Sequence, residues 1–282
     1  MKTLDEKISF AIKLLQSIPS KEIELCFSGG KDSSVILELA KMAKIPYRAI
    51  YKSTTIDPKG TIKFCRENGC EILKPKKTFF ELIKERGFPT RRARFCCDCL
   101  KEYKVLDYAI QGIRRSESES RKKWYKEPTA CRIYGNKGKV KKDGSNYVEV
   151  FYPILDWTDS DVEQFVNERK IRCHPLYYDT QGKFRVERRL GCVGCPLVSD
   201  NGLSDFKANP KLVKLHIKNG LQWWDKPRKK EIASKKKFEN IYELFVHNVF
   251  FDTYEDFSLA VSGMFGKIDC KQFLEDYFKI KL

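Results

Sequence analysis

The chain has 282 residues, 41% of them apolar, enough for one large domain or a core with an appendage, and no apolar run is long enough to span a bilayer. Its 55 Lys and Arg against 38 Asp and Glu give a net charge of +17, which suits a polyanionic partner such as nucleic acid or phosphorylated ligands, although a Lys-rich solvated surface gives the same count. Eleven cysteines and a charged start, Met1-Lys2-Thr3-Leu4-Asp5-Glu6, where a signal peptide needs apolar residues, point to the cytoplasm and to metal or redox use of the thiols rather than a disulfide framework.

Leu4 to Ile18 sets Leu4, Ile8, Ala11, Ile12 and Leu15 on one helical face, and Pro19 ends it. The apolar run Ile23 to Phe27 reads as a buried parallel strand. Val35, Ile36, Leu39 and Ala43 mark a helix over Ser34 to Ala43. A strand is expected over Pro46 to Tyr51, a helix over Thr61 to Glu67, a short strand over Glu71 to Lys74 and a helix over Phe79 to Glu85. Further strands are expected over Tyr108 to Ile113 and Tyr147 to Tyr152, separated by a charged insertion or mobile loop from Lys122 to Asn146. Thr158 caps a helix through Arg169, with Asp161 near capping-box position. Strands alternating with helices predict an α/β fold on a doubly wound, mainly parallel sheet. After Pro210 the patterns are helical, over Lys211 to Gly220, Glu231 to Phe251, Tyr254 to Phe265 and Cys270 to Ile280. The expected organisation is a nucleotide-binding domain over residues 1–205 and a basic helical appendage over 206–282. Within the appendage, Lys226 to Lys237 is either a solvated helix face or a nucleic-acid contact.

The turn between the first strand and the next helix carries Ser28-Gly29-Gly30-Lys31-Asp32-Ser33. The glycines let the backbone approach a ligand and tolerate positive φ. A helix start favours an anion through its free N–H groups and its dipole. Lys31 adds a point charge, and Ser28 and Ser33 add hydroxyls. This is phosphate-binding chemistry, and the adjacent glycines set it apart from the Walker motif. The string resembles the PP-loop of the adenine-nucleotide α-hydrolase superfamily, whose members bind ATP or a related adenylyl anhydride. The resemblance implies that these six residues hold phosphates and Mg²⁺, with Lys31, Asp32 and Ser33 in catalysis. The polar loop Ser53 to Pro58 stands at the carboxyl end of the second strand, the edge where open α/β sheets bind ligands. Thr55 and Asp57 are therefore expected nucleotide contacts.

Cys96-Cys97-Asp98-Cys99 lies mid-chain, and Cys192-Val193-Gly194-Cys195-Pro196 lies far downstream. Two such thiolate groups can converge on one iron–sulfur or zinc centre; buried cysteines with a chance C-x-x-C are the alternative. A vicinal pair, a long gap and then C-x-x-C, all behind this glycine loop, resembles the phosphoadenylyl- and adenylylsulfate reductase family and its PP-loop relatives. The resemblance implies a [4Fe–4S] cluster on Cys96, Cys97, Cys192 and Cys195, with Cys99 able to replace one of the pair. Gly112, Arg114, Glu117, Ser118 and Arg121 match the family's G-x-R-x-x-E-S-x-x-R pattern. Guanidinium groups bind phosphate or sulfate oxygens bidentately, so Arg114 and Arg121 are candidate anion clamps. Pro153 to Trp157 resembles the family's P-x-x-x-W segment, and His174-Pro175-Leu176-Tyr177 its N-P-L-Y segment. The catalytic cysteine of an E-C-G-x-H-type tail has no match here: the context of Cys270, Ile268 to Gln272, differs.

These readings predict an ATP pyrophosphatase that supports iron–sulfur-dependent sulfur transfer to a nucleic acid, DNA or tRNA, as in the phosphorothioation and tRNA-thiolating enzymes it resembles. A cysteine desulfurase or thiol reductant would be its protein partner, and a homodimer is an open expectation. Two alternatives remain: a sulfonucleotide reductase releasing sulfite, with Cys270 or a partner thiol as nucleophile, and a non-catalytic nucleotide- or redox-sensing module.

Overall fold

The computed structural model describes residues 2–134, 146–227, 233–263 and 267–282. Residues 135–145 of the expected insertion, and Arg228, Lys229 and Lys230 of the basic run, lie outside the described residues. The chain divides into two compact units. The first comprises Met1–Ser53, Asp57–Pro75 and Asp98–Gly191; the second comprises Thr54–Ile56, Lys76–Cys97 and Cys192–Leu282.

The first unit is built on a sheet of β1 (Ile23–Cys26), β2 (Arg48–Lys52), β3 (Glu71–Leu73), β4 (Tyr108–Ile110), β5 (Thr129–Ile133) and β6 (Tyr147–Phe151), in the order β3-β2-β1-β4-β6-β5. All neighbours are parallel except β5, which runs antiparallel to β6. The fold is the expected α/β, doubly wound, mainly parallel sheet. From β1 the chain winds outward through β2 to β3, then returns to β4 on the other side of β1. That reversal makes β1/β4 the topological switch point, where ligands bind at the carboxyl ends of strands.

Helices α1 (Leu4–Gln16), α2 (Lys31–Ala43) and α3 (Thr61–Glu67) belong to this unit. α4 (Phe79–Arg86) belongs to the second, and α5 (Phe95–Leu100) carries the vicinal cysteines. Back in the first unit are α6 (Glu119–Trp124) and α7 (Asp159–Glu168). Strand alternation divides the packing. Ile23, Leu25 and Ile110 enter the large core with Leu15 of α1, Val35, Ile36 and Leu39 of α2, and Phe165 of α7. Ala109, Val148 and Val150 point into a smaller cluster with Cys26, Tyr125 and Tyr134. Capping boxes start α1 and α7: Thr3 and Thr158 accept the N–H groups of Glu6 and Asp161, whose carboxylates accept in return. Lys7 pairs with Asp161 at 2.6 Å, tying α1 to α7.

The second unit holds α8 (Leu203–Ala208), α9 (Pro210–Trp224), α10 (Ala233–Lys237), α11 (Ile241–Phe250), α12 (Tyr254–Val261) and α13 (Cys270–Phe278). The single helix expected over Glu231 to Phe251 is broken: Asn240 N-caps α11 by accepting the N–H of Glu243 at 2.9 Å. α2 begins at Lys31 rather than Ser34, because Gly30 takes the N-cap position. β5 was not expected, since Thr129-Ala130-Cys131-Arg132-Ile133 lacks a clear apolar alternation. No helix among the described residues is long and apolar enough to cross a membrane.

Candidate functional site

The glycine loop leaves β1 at the switch point. Gly29 has φ +76°, and a Cβ there would stand 3.3 Å from Leu190 Cδ2, so conformation and space both favour glycine. Ser33 Oγ donates to Gly30 O at 2.8 Å, and Ser28 Oγ donates to Ser33 Oγ at 3.2 Å while accepting the Gly30 N–H. The loop's own hydroxyls thus close it around the start of α2, whose N-cap Gly30 provides no side-chain acceptor. Lys31 is buried, 3.4 Å from Asp32 Oδ2, with its ammonium 5.8 Å from the Tyr177 ring centre.

Arg114 binds the motifs of this unit together. It is only 1% exposed. Its Nε donates to Asp32 Oδ1 at 2.7 Å, Nη2 to Asp159 Oδ1 at 2.8 Å, and Nη1 to Ser116 Oγ at 3.0 Å. Ser116 Oγ in turn donates to Trp157 O at 2.8 Å. The fork of one guanidinium therefore joins the glycine loop, the G-x-R segment and the start of α7. Gly112 fits this web because a Cβ there would stand 2.9 Å from the Asp32 carbonyl oxygen. Arg114 holds Asp32 in place, and most of its donors are engaged within the protein.

Arg121, on α6, pairs with Glu117. Burial pushes its guanidinium below the ordinary value, and the charges of Arg189 and Arg114 act the same way, opposed by Tyr125 and Asp32. Lys31 and Arg121 thus supply positive charge near Asp32, with Arg189 near Arg121, an arrangement suited to phosphate oxygens. Arg189 stands outside the motif positions, so its sequence context did not mark it as a site residue. Thr61 lies in none of the sequence motifs, and His174 only in the segment His174 to Tyr177. His174 Nδ1 accepts the Leu176 N–H at 3.2 Å, and burial holds the ring neutral, leaving the proton on Nε2. His174 Nε2 and Thr61 Oγ1 are buried without a hydrogen-bond partner among the described residues.

The two loop residues separate. Asp57 Oδ2 accepts the Ser53 hydroxyl at 3.0 Å in the first unit. Thr55, at φ +64°, accepts the N–H of Phe79 at the start of α4 in the second unit.

Cys96, Cys97, Cys192 and Cys195 all fall in the second unit, whereas Cys99 groups with the first. The Cys96 thiol is pushed up by its hydrogen bond with Cys97, by burial, and by the charges of Cys97, Cys192 and Cys195. The Cys97, Cys192 and Cys195 thiols therefore lie near that of Cys96. Cys192 Sγ lies 3.5 Å from Thr54 Oγ1, and Val193 N–H donates to Ile56 O at 2.9 Å. Gly194 N–H donates to Asp205 Oδ2 at 2.7 Å, anchoring the C-x-x-C turn to α8. Among the described residues, no three His, Cys, Asp or Glu are gathered closely enough for a single metal ion.

The family model for the phosphoadenosine phosphosulfate reductase domain matches residues 22–198. An uncharacterised protein of Methanocaldococcus jannaschii is 32% identical over 206 residues, covering 64% of this chain and 45% of that protein. Sulfate adenylyltransferase subunit 2 of Shewanella pealeana is 30% identical over 195 residues, covering 58% of this chain and 62% of the relative. The chain thus spans about half to three-fifths of the length of these curated relatives. The phosphoadenylyl-sulfate reductase of Candida auris, solved with phosphate, aligns at a TM-score of 0.44 with 15% identity, over 67% of this chain and 93% of that one. With well over half of its length matched, glycine loop and both cysteine groups included, the chain belongs to the phosphoadenosine phosphosulfate reductase domain family.

Proposed function

We propose that the chain binds ATP, cleaves its α–β bond and supports iron–sulfur-dependent sulfur transfer to a nucleic acid. The observation that carries this reading is the grouping of Cys96, Cys97, Cys192 and Cys195 in one unit of a chain that also bears the glycine loop. Ser28 to Ser33 would seat the phosphates at the start of α2, assisted by Mg²⁺. Lys31, Arg121 and Arg189 would stabilise charge on the α-phosphate and on the departing pyrophosphate. An acceptor oxygen attacking the α-phosphorus would release pyrophosphate; sulfide, freed from a desulfurase persulfide by a thiol reductant that is oxidised to its disulfide, would then displace AMP.

Four thiolates carried by one unit suit an iron–sulfur cluster by their chemistry. A cubane accepts thiolates spread around its corners. When bound, a [4Fe–4S] cluster would supply electrons or an iron site for sulfur. In this reading residues 1–205 form the catalytic part, and the basic region 206–282 meets the polyanion with salt-sensitive affinity.

Family membership also favours a sulfonucleotide reductase. Against its use of Cys270, that thiol is buried and pushed up to about 11 by burial and by Glu243, which disfavours the nucleophilic thiolate. The deciding experiment is anaerobic turnover of α-labelled ATP by cluster-reconstituted protein, with and without DNA or tRNA. AMP and pyrophosphate that require Lys31 and rise with nucleic acid are the expected result. Without AMP, sulfite released from an adenylylsulfate and thiol reductant would establish the reductase.

A further inference from the structure

The second unit contains a cavity of about 600 Å³ that no part of the nucleotide chemistry above uses. It falls within the roughly 300–1,000 Å³ range of small-molecule sites. Its walls come from the segments that carry the cysteines. Thr90, Arg91 and Arg92 precede the vicinal pair, Pro196 follows the C-x-x-C, and Asn201 lies just beyond. Arg91 clamps these segments together: Nε donates to Asn201 Oδ1 at 3.0 Å and Nη2 to Val198 O at 2.8 Å.

The opposite wall is aromatic and basic. Phe238 is flanked by His247, with ring centres 5.1 Å apart, and by Tyr254 at 5.4 Å. Tyr254 donates its hydroxyl to Lys237 O at 2.9 Å, and the Lys237 ammonium lies 5.1 Å from its ring centre. These rings are therefore held in place before any ligand arrives. Lys237 ends α10, whose preceding residues are Lys235 and Lys236, so a basic helix leads to the cavity. Arg92 is exposed and makes no hydrogen bond or ion pair among the described residues. Asp252 and Glu255 also line the cavity and oppose the three cations. Asn201 and Asn248 add amide donors and acceptors.

We propose that this cavity receives one unpaired nucleotide of a single-stranded nucleic acid, its base against Tyr254, which the buried Phe238 supports, and its phosphates on Arg92 and Lys237. Aromatic rings set beside cations recognise single strands by stacking and charge, whereas a free anion would have no use for the rings. Asp252 and Glu255 can accept from exocyclic amino groups or sugar hydroxyls while disfavouring a second phosphate inside. The inference rests on the nucleic-acid reading of function and places the acceptor on the segments that carry the four cysteines.

The test uses the full chain and two fluorescent 12-mers, a 4-thiouridine RNA and a 5-iododeoxyuridine DNA, for binding and photo-crosslinking. Crosslinks to the peptides bearing Phe238, Phe251 or Tyr254 are expected, and the stronger arm identifies the sugar. Arg92→Ala with Lys237→Ala, both solvent-exposed positions, should weaken binding about 10-fold or more and reduce its salt dependence; ATP binding should not change. Tyr254→Ala should weaken it by a similar factor through lost stacking. Unchanged affinity in the double variant, or crosslinks confined to other peptides, would overturn the site. So would no binding of either 12-mer. In each case, AMP formation that still rises with DNA or tRNA would leave the proposed function standing.

Discussion

At Asp32 one carboxylate is held from two sides, by the Arg114 fork at 2.7 Å and by Lys31 at 3.4 Å. Only Nε of the fork reaches it, while Nη2 and Nη1 hold the guanidinium on Asp159 and Ser116 and so fix where that donor stands. Arg114→Lys keeps the charge and loses the fork. Misplacement of a group at a reacting centre costs on the order of 100-fold, so AMP formation should fall by about that factor in kcat while the Kd for ATP changes little. An equal rise in Kd would instead make Arg114 a direct phosphate contact, the role its motif implies. Gly112→Ala tests the same web by another route. Its new Cβ would press on backbone, the Asp32 carbonyl at 2.9 Å, where no side chain can rotate away. Overpacking of this kind costs about 1–3 kcal/mol, measurable as a lower urea midpoint, with reduced AMP formation in the folded fraction. At this scale the glycine loop was legible because its chemistry is local: glycines, a Lys and hydroxyls at a strand-to-helix turn. Arg189 was not, because its closeness to Arg121 exists only after 68 residues of chain have returned to one place.

Among the elements, α4 and α9 show how packing sets a titration. His216, on α9, is buried among the rings of Phe79, Phe80 and Phe206, with ring centres 5.5, 5.4 and 5.0 Å away, and its Nδ1 lies 2.8 Å from Leu212 O. Burial, opposed by that hydrogen bond, lowers its pKa from 6.5 to about 4. The unfolded chain therefore binds a proton that the native chain refuses across this window. Native stability should fall as pH drops from about 6.5 toward 4, by about 1.4 kcal/mol per unit of the span. His216→Phe, which keeps an aromatic ring there, should flatten the pH dependence of Tm; an unaltered slope would place the titrating group elsewhere. Long apolar-periodic elements such as α1, α2 and α7 could be read from spacing alone. β5 could not: it is an edge strand, half-buried along nearly its whole length, so its sequence carries no alternation of apolar and polar residues. The break between α10 and α11 was signalled by Asn240, an N-cap residue overlooked inside an otherwise helical pattern.

Over the whole molecule, the four candidate cluster ligands come from two segments far apart in sequence that fold into one unit. Their spacing alone left Cys97 and Cys99 as alternatives. The structure favours Cys97, whose thiol hydrogen-bonds to that of Cys96, with Cys192 and Cys195 also close enough to act on it. The expected outcome is specific to this set of ligands. After anaerobic reconstitution, Cys96→Ser, Cys97→Ser, Cys192→Ser and Cys195→Ser should each lose most bound iron and sulfide, whereas Cys99→Ser should keep the wild-type content. Removing the metal should also lower Tm, because binding to the native state alone adds its free energy to folding. That loss should be largest in wild type and Cys99→Ser and nearly absent in the four ligand variants, which have little metal to remove. If Cys99→Ser lost iron while Cys97→Ser retained it, Cys99 would replace Cys97 as the ligand. If all five variants kept metal binding, the thiols would be buried side chains packed together, and sulfur transfer would need another centre.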